Sequence, residues 1–160
     1  MGNFLYQRRF DLGLYHLDRM QALNPNDCHM LIKAGYYLNF LGDRDRAIKN
    51  VELSMRRNPL HAPWYWRDAG IVLFDKGDYE RAWTALNLVP VLRHADLIYR
   101  AACLAALGET HEAKAVVARL RQEHPDISLA NLKNLMPYRC YRQDLDIERL
   151  CDHVARAGLT

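Results

Sequence analysis

The chain has 160 residues, half of them apolar and 26% charged, with a formal net charge of +3 and four cysteines. That supplies one continuous core, but not the basic excess that marks a nucleic-acid-binding surface. No apolar run approaches the roughly 18 residues of a membrane span, and the arginines among the first ten residues have neither an apolar stretch nor a cleavage site behind them, so the expectation is a cytoplasmic protein with no membrane contact. Cys28, Cys103, Cys140 and Cys151 then read as reduced thiols.

Residues 1–26 hold the end of one short helix at Phe4 and Leu5. A second helix follows, with Gly13, Leu17 and Met20 on one face and Asn24-Pro25 as its stop. The chain thus begins inside a half repeat, which reads either as a degenerate first repeat or as the tail of a longer protein. A helix lacking its partner would leave Phe4, Leu14 or Leu17 partly uncovered and inclined to associate, so a homo-oligomer is one expectation.

In residues 27–61, Asp27 is an N-cap, and Leu31, Ala34, Gly35, Leu38 and Leu41 recur on one helical face. Gly35 is small enough for a second helix to approach. Gly42-Asp43 turns the chain, and Ala47, Ile48, Val51 and Met55 form the stripe of the next helix before Asn58-Pro59 ends it. In residues 62–93 the same places are held by Trp66, Ala69, Gly70 and Leu73, then Gly77-Asp78-Tyr79, then Ala82, Trp83 and Leu86, with Pro90 cutting the second helix short. In residues 94–125 they are held by Leu97, Ala101, Leu104 and Leu107, then Gly108-Glu109, then Ala113, Val117 and Leu120, with Pro125 closing. Cys103, in an apolar helix, reads as a buried small hydrophobe. Residues 126–160 predict two more helices that cap the array, one marked by Leu129, Leu132 and Leu135. The other is capped by Asp144 or Asp146, striped by Ile147, Leu150, Cys151 and Val154, and ended by Gly158.

The turn glycines Gly42, Gly77 and Gly108 stand 35 and 31 residues apart, and each is followed five residues later by an alanine. A helical pair repeating at about 34 residues is the signature of a tetratricopeptide array. Trp66-x-x-Ala69-Gly70-x-x-Leu73, Tyr79-x-x-Ala82 and the closing prolines resemble the consensus of that family, and the resemblance covers Asp27 to Pro125. It implies an all-α, right-handed solenoid with C-terminal capping helices, whose function is non-catalytic binding of a partner peptide or helix. The last residues also resemble the C-terminus of certain bacterial multidomain signalling proteins that carry an adenylate cyclase-like or winged-helix domain ahead of a repeat array. Pro125-Asp126-Ile127-Ser128-Leu129, Asn134 to Arg139, Asp146 to Leu150 and Ala157-Gly158-Leu159 carry that likeness. It implies a regulatory or remnant part acting through self-association; neither front domain is present, so no activity transfers to a residue here.

In the tetratricopeptide family the first helix of each pair lines the concave face. By that analogy the partner groove consists of Tyr36, Asn39, Phe40, Trp64, Arg67, Ile71 and Phe74, flanked by His29, Lys33 and Asp75 and continued by Ile98, Tyr99, Ala102 and Ala105. Arg67 would hold a partner carboxylate and Asn39 a peptide backbone, with the aromatic rings gripping side chains. Chaperone tails are not expected, because Ile32 and Tyr36 stand where the cradle for them requires polar groups.

Other constellations read as structural. Arg44, Arg46, Lys49, Arg56 and Arg57 form a solvated face diluted by Asp43, Asp45 and Glu52. Asp43-x-Asp45 and Asp144-x-Asp146 sit at helix starts, where acids suit the dipole. Cys140, Cys151 and His153 lack a fourth zinc ligand, and no phosphate loop, nucleophile elbow, HExxH or dinucleotide fingerprint occurs, so no metal, no cofactor and no enzyme are expected.

Overall fold

The computed structural model describes residues 2–160, and these are all-helical. In chain order the helices are α1 (Gly2–Tyr6), α2 (Phe10–Leu23), α3 (Cys28–Phe40), α4 (Arg44–Arg57), α5 (Tyr65–Lys76), α6 (Tyr79–Asn87), α7 (His94–Leu107), α8 (Thr110–Glu123), α9 (Leu129–Leu132) and α10 (Asp144–Arg156), with a 3-10 turn at Tyr138–Cys140. The all-α expectation holds.

Three hairpins, α3–α4, α5–α6 and α7–α8, form the body, and each packs on the next through α3–α5, α4–α5 and α6–α7. Their turns share one chemistry. Gly42, Gly77 and Gly108 adopt φ of +87°, +90° and +86°, the left-handed conformation glycine reaches without strain. The following residue then donates back to the preceding helix: Asp43 to the Leu38 carbonyl at 3.0 Å, Asp78 to Leu73 at 3.0 Å, Glu109 to Leu104 at 2.9 Å. Asp43 and Asp78 cap the helices that follow, and Asp27 caps α3 through the Met30 amide at 3.1 Å. The helices nearly touch where small residues were expected. A Cβ on Gly35 would lie 2.8 Å from the Ala47 carbonyl oxygen, and one on Gly70 would lie 2.6 Å from Leu86 Cγ. As Pro90 predicts, α6 is short at 9 residues.

The C-terminal end departs from expectation, and the N-terminal end does so only at Leu17. Leu17 is fully buried where α1 folds back on α2, while Phe4 stays half-buried, stacked on His16 with ring centroids 4.9 Å apart. Leu14 is half-buried. The helix expected over Leu129–Leu135 is a single turn that ends ahead of Pro137, whose preceding peptide is cis. Neither Asp144 nor Asp146 caps α10: Gln143 holds the N-cap position without a side-chain bond, and Asp146 is drawn instead to the Arg44 guanidinium. Residues 126–160 do more than seal the last layer. Helix α10 packs on α7, while residues ahead of it reach back to α3, where the Arg142 amide donates to the Phe40 carbonyl at 2.8 Å.

Candidate protein-interaction face

Helices α3, α5 and α7 are the first members of the three hairpins. Their shared face is where the groove residues fall, and most of it is covered by the chain's own residues 138–156. Asn39, Phe40, Ile71 and Phe74 are all buried. The Tyr141 ring meets Phe40 edge-on at 4.8 Å, the Tyr138 ring lies 5.9 Å from that of Tyr99, and His153 sits edge-on to Phe74 at 5.7 Å. Ile98, Tyr99 and Ala102 of α7 are buried as well.

Asp75, at the end of α5, is the polar centre of this contact. Its carboxylate accepts from Asn39 Nδ2 at 2.5 Å and from the Tyr141 hydroxyl at 2.5 Å. Tyr141 spends its hydrogen on Asp75, so the Tyr99 hydroxyl, 2.7 Å away, donates to Tyr141. Arg149 approaches the second carboxylate oxygen at 3.6 Å and donates to the Asp75 carbonyl at 2.8 Å, a carbonyl that also accepts from Arg44 Nε at 3.0 Å. Two guanidiniums thus meet the negative end of α5. Burial nevertheless dominates: it pushes the Asp75 carboxyl up to about 6 against the lowering pull of Tyr141, Asn39 and the two arginines. Asn39, expected to bond a partner's backbone, is committed to Asp75.

Arg67 is likewise committed. It forms a bidentate pair with Asp96 of α7, at 2.6 and 2.9 Å, and donates to the Val91 carbonyl at 2.9 Å. Asp96 is fully buried and also accepts from the Arg93 amide at 2.7 Å. The carboxylate Arg67 was expected to hold is therefore supplied within the chain.

One edge of the face stays open, with Trp64 and Tyr36 half-buried. The Lys33 ammonium lies 4.3 Å from the Trp64 ring and 5.5 Å from that of Tyr36, and pairs with Asp68 at 2.7 Å. Burial raises the Asp68 carboxyl, with Lys33 opposing it. His29 meets Trp64 edge-on at 5.0 Å, and exposed Val91 borders a depression of about 140 Å³ between Trp64, Arg67 and Arg93. This edge offers aromatic faces, a cation and an apolar rim.

The remaining candidates lie elsewhere. Cys103 is fully buried, and burial drives its thiol upward. Cys140 is pushed up to about 11 by burial. Arg44 is drawn out of the solvated basic face by Asp146, while Arg46 pairs with Asp18 at 2.7 Å and Arg57 donates to Asn26 at 3.1 Å. Among the described residues no three His, Cys, Asp or Glu side chains converge as metal ligands, and no helix is long and apolar enough to cross a membrane. Sequence reasoning placed Asp75 on this face but missed Tyr138 and Tyr141. Their signal was available as two tyrosines three apart, just after Pro137, in a segment with too little helical periodicity to bury them locally. No family model matches the chain, and no curated protein matches it.

Proposed function

We propose that this chain is a non-catalytic protein-interaction module, a right-handed solenoid of tetratricopeptide type that binds a peptide or helix of another protein along the concave face made by α3, α5 and α7. The observation that supports this reading is that the face already holds polypeptide. Tyr141, Arg149 and His153 engage Asp75 and Phe74 through a tyrosine hydroxyl, a guanidinium and a ring edge, which are the groups a bound segment presents. Trp64, Tyr36 and Lys33 form the part of the face that a partner meets first. The rival reading is a regulatory or remnant piece of a signalling protein acting through self-association, for which half-buried Phe4 and Leu14 and exposed Tyr15 and Leu23 leave an apolar surface on α1 and α2.

A photo-crosslinking residue placed at Trp64, with a second chain carrying it at exposed Ala118 on α8, tests the reading in native lysate. The expected result is a discrete protein adduct from the Trp64 position only. Equal adducts from both positions, or none from Trp64, would remove the assignment.

A further inference from the structure

We propose that the groove between α4 and α6 is a binding site for a small aromatic carboxylate, with the ring seated against Trp66 and the charge on Arg56. The site lies away from the α3–α5–α7 face and does not depend on the interaction-module reading.

Helices α4 and α6 both pack on α5, and between them stands a pocket of about 430 Å³. Its floor is made by the buried Val51, Ala69, Leu73 and Ala85, and its walls by the half-buried Met55 and Trp66. His61 meets the Trp66 ring edge-on at 4.8 Å and supports it from outside the pocket. At the other end Arg81 of α6 reaches Glu52 of α4 at 3.1 Å and ties the two helices across the groove. That bridge gives the pocket an end, so it suits a ligand of its own size rather than a continuous helix. Its volume, its apolar lining and its few polar groups are those of small-molecule sites.

The next layer of the array shows the same space filled. Ala69 precedes Gly70 in α5, and the matching residue of α7 is Arg100, ahead of Ala101. Arg100 reaches the end of α6 and donates to the Leu86 carbonyl, at 3.2 Å from Nε and 2.5 Å from Nη2, so its long side chain occupies the corresponding groove. Val116 of α8 stands where α6 has Ala85 and adds bulk. Two alanines thus leave open, between α4 and α6, a volume that larger side chains take up one layer on.

The lining selects the ligand. Trp66 offers a flat ring and Met55 a polarizable thioether, both suited to an aromatic body. Of the charged groups at the mouth, Arg81 is committed to Glu52 and to Asp78, both at 3.1 Å. Arg56 is exposed and has no carboxylate partner among the described residues. One uncompensated guanidinium beside apolar walls matches one carboxylate on a ring, which its planar fork takes through two parallel bonds. A cationic ligand would be repelled there, and a neutral ring would leave the guanidinium unused.

The test titrates the isotope-labelled full chain with 2-naphthoate at neutral pH and follows the indole N–H signals of Trp64, Trp66 and Trp83, each assigned from its Phe variant. The Trp66 signal is expected to shift and to saturate with a Kd below about 1 mM, while that of Trp83 stays in place. Arg56→Gln is expected to weaken binding about tenfold, and the neutral 2-naphthylmethanol to bind the wild type more weakly by about the same factor. Ala69→Arg, which copies Arg100, and Thr84→Leu, at the exposed mouth, are each expected to abolish the shift with helicity unchanged by circular dichroism; Thr84→Leu decides the matter if Ala69→Arg fails to fold. A Trp66 shift that grows linearly without saturating, or that survives Thr84→Leu, would overturn the site. Equal affinity for the carboxylate and the alcohol, or for the wild type and Arg56→Gln, would overturn the assigned ligand chemistry.

Discussion

The hydroxyl of Tyr141 donates to the carboxylate of Asp75 at 2.5 Å, across 66 residues of sequence. Both side chains are buried, so the bond forms in a low-dielectric setting where its loss is not made good by water. Tyr141→Phe keeps the ring on Phe40 and removes only the donor. The expected loss is about 1–3 kcal/mol in urea unfolding, the cost of leaving a buried acceptor short of a partner. A loss below about 0.5 kcal/mol would mean that this bond does not help to seat the segment.

Asp75 also makes the protein's stability depend on pH in a defined direction. Burial raises its carboxyl from the ordinary 3.8 to about 6, so between those values the folded chain keeps a proton that the unfolded chain has lost. The stability that this group contributes is therefore present at low pH and is lost as pH rises through 6, by something on the order of 3 kcal/mol. His153 acts in the opposite sense: burial first, then Arg156 and Arg149, hold it below 6.5, so its contribution is lost as pH falls. Comparison with Asp75→Asn isolates the carboxyl. Between pH 7 and pH 4 the wild type is expected to gain on the variant by up to about 3 kcal/mol in denaturant midpoints converted to free energy. Parallel curves would dismiss the titration.

The hairpins were legible because each is specified locally. Gly77, Asp78 and Ala82 lie within six residues of one another and fix a left-handed turn, an N-cap and a close helix contact without reference to the rest of the chain. The positions offered as an open groove on α3, α5 and α7 were not legible as core, since Asn39, Phe40, Ile71 and Phe74 are buried. Nor was what covers that face. Asp146 looked like a cap because acids at helix starts usually are, yet Arg44, 102 residues away, takes it. Tyr138 and Tyr141 carry no period that announces burial, and their partners stand on three different hairpins. Residues whose environment is set by one turn of helix were found, and those set by contacts over half the chain were not.

Two ion pairs separate burial from mere proximity. Arg67 is 14% exposed and Asp96 not at all, whereas Arg81 and Glu52, 3.1 Å apart, are both about half exposed. Arg67→Ala leaves a desolvated carboxylate without its bidentate partner and is expected to cost about 3–5 kcal/mol. Arg81→Ala breaks a pair that water and salt already screen, and is expected to cost under about 1 kcal/mol. Replacing both Arg67 and Asp96 by apolar residues, as in Arg67→Met with Asp96→Leu, is expected to recover most of the single-variant loss. Equal losses for Arg67→Ala and Arg81→Ala in urea unfolding would contradict this ordering.

Gly35 and Gly70 occupy matching places in α3 and α5, yet alanine is not equally tolerated at the two. In an open helix the change would gain up to about 1 kcal/mol of propensity. At Gly70 the new methyl meets Leu86 side-chain atoms at 2.6 and 2.9 Å, and those can swing aside at the cost of repacking. At Gly35 it meets the Ala47 carbonyl oxygen at 2.8 Å, and backbone of α4 yields only if the whole hairpin opens. Gly35→Ala is therefore expected to destabilise by about 1–3 kcal/mol, more than Gly70→Ala, for which the propensity gain offsets part of the strain. Thermal unfolding of the two variants beside the wild type reads the order directly. A Gly70→Ala protein that melts below the Gly35→Ala protein would show that the hairpin spacing is softer at Gly35 than its backbone contact implies.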